Sequence, residues 1–94
     1  MRITVRVGET LWQTVGQGEI ELELDEPATL TDALTQLFVR FPKLAEELRP
    51  GGKTRSGLPY HLFVNRRLVP NEMVSTHHLR NGDRLHILSP AAGG

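Results

Sequence analysis

The stretch Glu19-Ile20-Glu21-Leu22-Glu23-Leu24 decides the fold class, because acidic and apolar residues alternate along it without a break. Successive side chains of a strand point to opposite faces, so this pattern predicts a strand with one buried and one charged face. A second alternating stretch lies nearer the N-terminus, where Ile3, Val5 and Val7 are separated by Thr4 and Arg6. We therefore expect the chain to begin with two half-buried strands.

An amphipathic helix is predicted directly after these strands. Asp25-Glu26-Pro27 interrupts the alternation, and Thr29 followed three residues later by Asp32 is typical of a helix N-terminus. Apolar residues then recur at helical spacing and would share one face, namely Leu30, Leu34, Leu37, Phe38 and Phe41. Pro42 is expected to end or kink this helix, and residues 43–49 to add one or two further turns.

The rest of the chain is predicted from its glycines, prolines and short apolar runs. Loops are expected at residues 8–18, which contain three glycines, and at residues 50–59. The remaining elements are expected in this order: strand 60–64, tight turn 65–67, short strand 68–69, short turn or one-turn helix 74–79, turn 81–83 and strand 84–88.

Together these elements predict an α+β domain over residues 1–90, with a flexible tail over residues 91–94. One main helix would cover one face of a mixed sheet of four to five strands. Alternation assigns the following residues to the opposite, open face: Thr4, Arg6, Glu21, Glu23, His61, Phe63, Arg84 and His86. Phe63 would instead point into the core if the register were reversed. Trp12 could pack on the sheet edge or contact a partner.

The composition narrows the class of function. A chain of 94 residues has room for one modest core, which favours a carrier, binding or subunit role over a self-contained enzyme. The absence of cysteine excludes disulfides, thiolate metal sites and a cysteine nucleophile. No apolar run approaches the roughly 20 residues that span a bilayer. Because the start also lacks a signal-peptide layout, we expect a soluble, cytoplasmic protein without a membrane partner.

The charges balance overall, with 11 basic and 11 acidic residues, so no general attraction to nucleic acid is expected. Their distribution is uneven, because acidic residues crowd the first third and basic residues dominate the second half. One interpretation is that the two halves pair within one sheet. The other is a docking face for a charged partner.

Familiar catalytic and metal-binding patterns do not fit the sequence. His77 and His78 are adjacent and would point apart, while His61 and His86 as neighbours across strands would lack a third ligand. No metal site and no bound cofactor are therefore predicted. Gly52-Lys53-Thr54 resembles the end of a phosphate loop, but the glycine required five residues earlier is missing.

The most distinctive feature is the ending Pro90-Ala91-Ala92-Gly93-Gly94. Pro90 stops the final strand, and the residues from 89 onward could reach about 20 Å if extended. Glycines without side chains can thread a narrow tunnel in another protein. The ending therefore suits a carboxylate, that of Gly94, which reacts inside a partner's nucleotide site.

At this point the sequence resembles the sulfur-carrier branch of the ubiquitin-like β-grasp proteins. That branch includes the small subunit of molybdopterin synthase, the thiamine-thiazole sulfur carrier and the sulfur carrier of a bacterial cysteine-synthesis route. The resemblance covers nearly the whole chain, and the long 50–59 loop is closest to the cysteine-route carrier. Besides the strand-strand-helix opening, it is carried by Phe63-Val64-Asn65, by Asn81-Gly82-Asp83 with the strand after it, and by the diglycine tail.

The resemblance implies a carrier that acts as a co-substrate of other enzymes and is not itself an enzyme. An E1-like adenylating enzyme would use ATP to activate Gly94, a sulfur nucleophile would give the thiocarboxylate, and a client enzyme would accept the sulfur. Gly93 would give clearance, and Ala91 and Ala92 would form a slim spacer that contacts the partner. The partner contacts on the sheet are expected to be Phe63, Arg6, Arg84 and His86. A monomer, or a heteromer with the client, is expected.

Two other functions stay open at this point. The same activated Gly94 could be attacked by a lysine amine, which would make the chain a covalent protein modifier. Alternatively, the chain could be a β-grasp interaction module whose glycine tail is incidental. If it carries sulfur, the acceptor could belong to cysteine, molybdopterin, thiazole, thiolated tRNA or thiosugar synthesis.

Overall fold

The two alternating stretches form strands β1 (Arg2–Val7) and β2 (Glu19–Glu23), which pair antiparallel in the computed structural model. The structure describes residues 1–49, 53–54 and 59–88. Ile3 lies opposite Leu22, and Val5 lies opposite Ile20, so the apolar halves of both strands face the same side. All four of these side chains are at most 2% exposed. The alternation in the sequence is thus realised as one buried and one open face.

A stretch predicted as a loop is helical instead. Helix α1 covers Glu9–Val15, which corrects the expectation for residues 8–18. Leu11 and Val15 are four residues apart and both buried, so this short segment has an apolar face of its own. The glycines lie at the ends of the helix, and Gly16 ends it with a φ of 84°, a conformation that glycine adopts without strain.

Helix α2 (Leu30–Arg40) begins as predicted from Thr29 and Asp32. The Thr29 hydroxyl accepts a hydrogen bond from the Asp32 backbone, and the Asp32 carboxylate accepts one from the Thr29 backbone. The buried face of α2 consists of Leu30, Ala33, Leu34 and Leu37. Pro42 starts a new helix, α3 (Pro42–Glu47), because proline suits a first helical turn.

Two further strands pair outside the main sheet. Strand β3 (Leu48–Arg49) lies antiparallel to β4 (Lys53–Thr54), so the predicted 50–59 loop contains a paired segment. Leu48 is predicted as helical and is instead extended and buried. Residues 50–52 and 55–58 of the predicted loop lie outside the described residues.

The hairpin in the second half follows the sequence prediction closely. Strands β5 (His61–Val64) and β6 (Arg67–Val69) pair antiparallel across a turn in which Asn65 and Arg66 have φ values of 50° and 70°. Positive φ at both central residues matches the right-handed twist of the flanking strands. A 3₁₀ turn at Asn71–Met73 comes slightly before the predicted short turn.

The final strand, β7 (Arg84–Leu88), completes a five-stranded sheet in the order β2-β1-β7-β5-β6. It runs parallel to β1 and antiparallel to β5, so the first and last described strands lie side by side in the centre. Leu85 and Ile87 are fully buried between the sheet and the helices. The result is the predicted α+β architecture, a mixed sheet packed on one main helix.

Candidate functional site

The open face of the sheet brings together four residues that the sequence predicted as partner contacts. Phe63 on β5 lies opposite His86 on β7, and Arg6 on β1 lies beside the same histidine. Arg84 lies two residues earlier on β7 and therefore points to the same side. Residues that are far apart in the chain thus meet around one aromatic ring.

Phe63 is on the open face and not in the core. Its neighbours Leu62 and Val64 are buried, while Phe63 itself is half-buried. The alternative in which the register is reversed is therefore wrong. Phe63 faces Leu68 of β6, which is 55% exposed, so an apolar strip extends across the hairpin.

These side chains surround a cavity of about 530 Å³, which we call the arginine cleft. It is lined by Arg6, Phe63, Asn65, Arg66, Arg84, Leu85, His86 and Leu88. Arg66 and Leu88 were not singled out from the sequence, and Asn65 was named only as part of the segment Phe63-Val64-Asn65 that carries the family resemblance. Leu88 could have been found by continuing the alternation from Arg84 and His86. Arg66 could not have been found in this way, because it lies in a turn, where strand alternation does not predict the direction of a side chain.

Asn65 fixes the hairpin turn to the start of β7. Its side-chain amide donates to Asp83 Oδ1 at 2.9 Å, and its side-chain oxygen accepts from the Arg84 backbone at 3.0 Å. Its own backbone N–H donates to the Arg84 carbonyl at 2.9 Å. These bonds join two segments that carried the family resemblance, Phe63-Val64-Asn65 and Asn81-Gly82-Asp83. They also hold Arg66 at the mouth of the arginine cleft.

The turn at Asn81-Gly82-Asp83 is tied in the same way to β1. Asn81 Oδ1 accepts from the Arg2 backbone at 2.7 Å, and Gly82 donates to the Arg2 carbonyl at 2.8 Å. The second carboxylate oxygen of Asp83 accepts from the Arg80 backbone at 2.8 Å. Gly82 has a φ of 88°, which favours glycine at that position. The entry to β7 is therefore held from both sides.

The charges of the open face are separated across β1. Glu19, Glu21 and Glu23 lie on the edge strand β2, whereas the arginine cleft lies on the other side of β1. In the described part of the chain the ion pairs are Arg2–Glu23 at 2.7 Å and Arg6–Glu19 at 3.8 Å. Both join β1 to β2 within the first third of the sequence. These ion pairs therefore do not support the interpretation that acidic residues of the first third pair with basic residues of the second half.

The position of His86 in the arginine cleft lowers the pKa of its side chain. Burial lowers the pKa of its imidazole below the usual value of 6.5, and the Arg6 guanidinium lowers it further. The imidazole is therefore mainly neutral at pH 7. His61 faces Leu88 rather than His86, so the two histidines are not directly opposite each other. Among the described residues no group of three or more potential metal ligands occurs.

Trp12 packs at the end of the first hairpin. Its indole N–H donates to the Val7 carbonyl at 2.8 Å, and its ring lies over Gly18, where a Cβ atom would come within 2.9 Å of the indole nitrogen. Trp12 is still 46% exposed. It therefore packs on the sheet edge and leaves part of its ring at the surface.

The predicted tail residues Ala91, Ala92, Gly93 and Gly94 lie outside the described residues. The last described residue, Leu88, lies at the rim of the arginine cleft and is 36% exposed. Within the described ranges, no helix combines the length and apolar character that crossing a membrane requires.

The model of the ThiS family matches residues 5–94. Comparison with curated protein sequences gives no significant match.

Several solved structures share the fold. SAMP1 from Haloferax volcanii superposes with a TM-score of 0.80 at 20% identity, with 100% of both chains covered. A putative molybdopterin converting factor, subunit 1, from Pyrococcus furiosus has a TM-score of 0.77 at 25% identity, covering 97% of this chain and 99% of that chain. A chain of the Amycolatopsis orientalis BexX/CysO complex has a TM-score of 0.72 at 25% identity, covering 98% of this chain and 99% of that chain.

Proposed function

The chain belongs to the ThiS family, and on that premise we propose that it carries sulfur as a thiocarboxylate on Gly94. Proteins of this family are small carriers and not enzymes. The observation that carries the proposal is that the family match extends to Gly94, so that it includes the diglycine ending together with the β-grasp body. We place this chemistry in the cytoplasm as part of the same proposal.

The proposed chemistry has two steps, both in a partner's active site. The Gly94 carboxylate attacks the α-phosphate of ATP, forming an acyl-adenylate and releasing pyrophosphate. Hydrosulfide released by the sulfur donor then attacks the acyl carbon, and AMP leaves with the oxygen that joined the acyl group to phosphorus, so that one carboxylate oxygen is replaced by sulfur. ATP is bound by the adenylating enzyme and not by this chain. The chain contributes the reacting group and its position.

The β-grasp body would position the tail for this reaction. The arginine cleft and Phe63 lie on the open face, and Leu88 connects that face to the residues that precede the tail. A partner that contacts this face would therefore receive the chain end in a defined direction. The Amycolatopsis orientalis structure is described as a BexX/CysO complex, which supports recognition of a related chain by another protein.

The test is intact-mass spectrometry of the chain after incubation with its adenylating enzyme, ATP and a sulfur donor. We expect a mass increase that corresponds to one oxygen replaced by sulfur, located on the C-terminal peptide. A variant lacking Gly94 serves as the matched control and should gain no mass. A wild-type chain that stays unmodified while the adenylating enzyme consumes ATP would contradict the proposal.

Covalent protein modification is the second candidate, because it begins with the same activated Gly94. A lysine amine would attack the acyl carbon instead of the sulfur nucleophile, and the product would be an isopeptide bond. The two outcomes are distinguished in cell extracts. Conjugates that disappear when Gly93 and Gly94 are deleted would show modification, whereas free thiocarboxylate without conjugates would show sulfur carriage alone.

A further inference from the structure

The end of strand β7 is held to the body of the protein by Gly8. The backbone N–H of Gly8 donates to the Ile87 carbonyl at 3.0 Å, which continues the pairing of β1 with β7 one residue beyond Val7. The Gly8 carbonyl accepts from the backbone N–H of Leu11 at 2.9 Å. Because Leu11 is fully buried, the first turn of α1 is itself anchored in the core. Gly8 therefore connects the last described strand to an anchored helix through hydrogen bonds on both of its sides.

Gly8 also lies directly against the last described residue. A Cβ atom at this position would come within 3.3 Å of Leu88 Cδ2 and within 3.7 Å of the Ile87 carbonyl oxygen. The first distance is shorter than a relaxed contact between carbon atoms, so a side chain here would displace Leu88. Gly8 has a φ of −66°, which any residue can adopt. The close approach of Leu88, and not the backbone conformation, therefore favours glycine.

Strand β5 holds the same strand end from the other side. His61 lies opposite Leu88 in the antiparallel pair of β5 and β7, while Gly8 lies on the β1 side. We call Gly8, His61 and Leu88 the exit clamp, because residues 89–94 follow directly after Leu88 in the sequence. The exit clamp fixes the point from which the terminal segment starts.

The position of that starting point matters for the reaction proposed at Gly94. Each residue that is released from the end of β7 adds about 3.4 Å to the reach of the terminal segment. A longer free segment lowers the effective concentration of its end at a fixed site. In addition, a displacement of about 1 Å at the reacting atoms can lower a rate by about a hundredfold. A firmly held strand end therefore favours the productive placement of the terminal carboxylate.

We propose that Gly8 is a positioning residue for the adenylation of Gly94. Its N–H holds the end of β7, and its lack of a side chain lets Leu88 lie against the junction of β1 and α1. The terminal segment then leaves the sheet at one fixed point. This inference rests on the proposed function, because the adenylation of Gly94 is the reaction that the exit clamp serves.

The first experiment measures pyrophosphate release by the adenylating enzyme with the Gly8→Pro chain as its substrate. Proline suits the φ of −66° but has no N–H, so the bond to the Ile87 carbonyl is lost. We expect kcat to fall about fivefold while KM stays within about twofold of the wild type, because the chain end is misplaced and the body is unchanged. The loss is smaller than a hundredfold because the partner also holds the terminal segment.

The matched control is Glu9→Pro, which places proline one residue later. Glu9 is exposed and is the first residue of α1, where the N–H has no partner within the helix and proline is well tolerated. Its kcat should stay within about twofold of the wild type, because the Gly8 N–H is retained. An equal loss of kcat in Glu9→Pro and Gly8→Pro would contradict a specific role of Gly8.

Gly8→Ala tests the contact with Leu88 separately, because it keeps the N–H and adds a single Cβ atom. We expect kcat to fall about twofold. Adding Leu88→Ala removes the atom that the new Cβ atom meets, so kcat of the double variant should equal that of Leu88→Ala alone. A further loss in the double variant would contradict a role that acts through Leu88.

Amide hydrogen exchange, followed by nuclear magnetic resonance, reports on the strand end without the enzyme. In Gly8→Pro the amides of Ile87 and Leu88 should exchange at least about fivefold faster than in the wild type, because the end of β7 opens locally. The amide of Leu85, in the middle of the same strand, should stay within about twofold. Unchanged exchange at Ile87 and Leu88 would show that Gly8 does not hold the strand end and would overturn the inference.

The outcomes separate the inference from the proposed function. If the wild type is adenylated and gains a thiocarboxylate, but Gly8→Pro and Gly8→Ala have the kcat of the wild type, the inference is overturned and the function stands. A higher KM at unchanged kcat would also overturn it, because Gly8 would then contribute to binding and not to positioning. If the wild type is not adenylated, the proposed function fails and the positioning role fails with it.

Discussion

The two faces of the central sheet are built from the same strands but differ in chemistry. On β7, Leu85 and Ile87 are fully buried against the helices, while Arg84 and His86 line the arginine cleft on the other side. The covered face is almost wholly aliphatic, and its side chains are interchangeable in chemistry although not in shape. The open face combines guanidinium, imidazole and aromatic groups from distant parts of the chain. Alternate residues of one strand therefore pack in the core and line the open cleft.

The same substitution on both faces of β7 should have different effects on stability. Leu85→Ala removes a fully buried side chain and should lower the free energy of unfolding by about 3 kcal/mol. Leu88→Ala is the matched control on the open face, and because this side chain is 36% exposed the loss should be smaller, about 1.5 kcal/mol. Urea denaturation measures both. Equal losses would mean that the two faces do not differ as described.

A second substitution tests the polar turn that holds the open face together. Asn65→Ala removes the bonds to Asp83 and to the Arg84 backbone, and it places alanine at a φ of 50°. We expect a loss of about 2 kcal/mol in the free energy of unfolding. Asn65→Gly keeps the backbone conformation accessible and should lose about 1 kcal/mol, which isolates the hydrogen bonds. An unchanged free energy of unfolding in Asn65→Ala would show that the turn is held by other contacts.

Most of this fold could be predicted from the sequence, for physical reasons that differ between its elements. The alternation at 19–24 fixes a strand face because strand periodicity is independent of distant contacts. Helix α1 was missed because Leu11 and Val15 give an apolar face too short to stand out between glycines. The sequence also could not say which residues of the open face are neighbours. Arg6 meets His86 only because β1 and β7 pair in parallel, and that pairing depends on the whole chain.

Within the candidate site, prediction succeeded for side chains on strands and failed for the turn. Arg6, Phe63, Arg84 and His86 were assigned to the open face by alternation, and the structure places all of them around one cleft. Arg66 joins them through a positive φ that strand periodicity does not describe. The roles of these residues in partner contact, and those of the tail, remain predictions.

The smallest expected effect concerns the protonation of His86. Arg6 on β1, Arg66 in the hairpin turn and Arg84 on β7 line the same cleft as this imidazole. Carbon shifts of the ring, followed against pH, should give a pKa below 6.5. Arg6→Gln should raise that pKa only part of the way back to 6.5, because burial is the larger cause of its lowering. A pKa at or above 6.5 in the wild type would contradict the described environment.

The sign of the linked stability change follows from that direction. Because the pKa of His86 is lower in the folded chain, the unfolded chain binds more protons between the folded value and 6.5. The contribution of His86 to stability is therefore fully present above pH 6.5 and is lost as the pH falls through the folded pKa. In His86→Gln this part of the pH dependence should disappear.

Our central proposal is that a partner recognises the body of the chain and that the tail reacts. Its most direct test is adenylation kinetics with a chain that lacks Gly93 and Gly94, whose reach is shorter by about 7 Å. We expect no adenylation of this chain, together with competitive inhibition of the wild type at an inhibition constant close to the wild-type KM. A truncated chain that is still adenylated, or that does not inhibit, would contradict it.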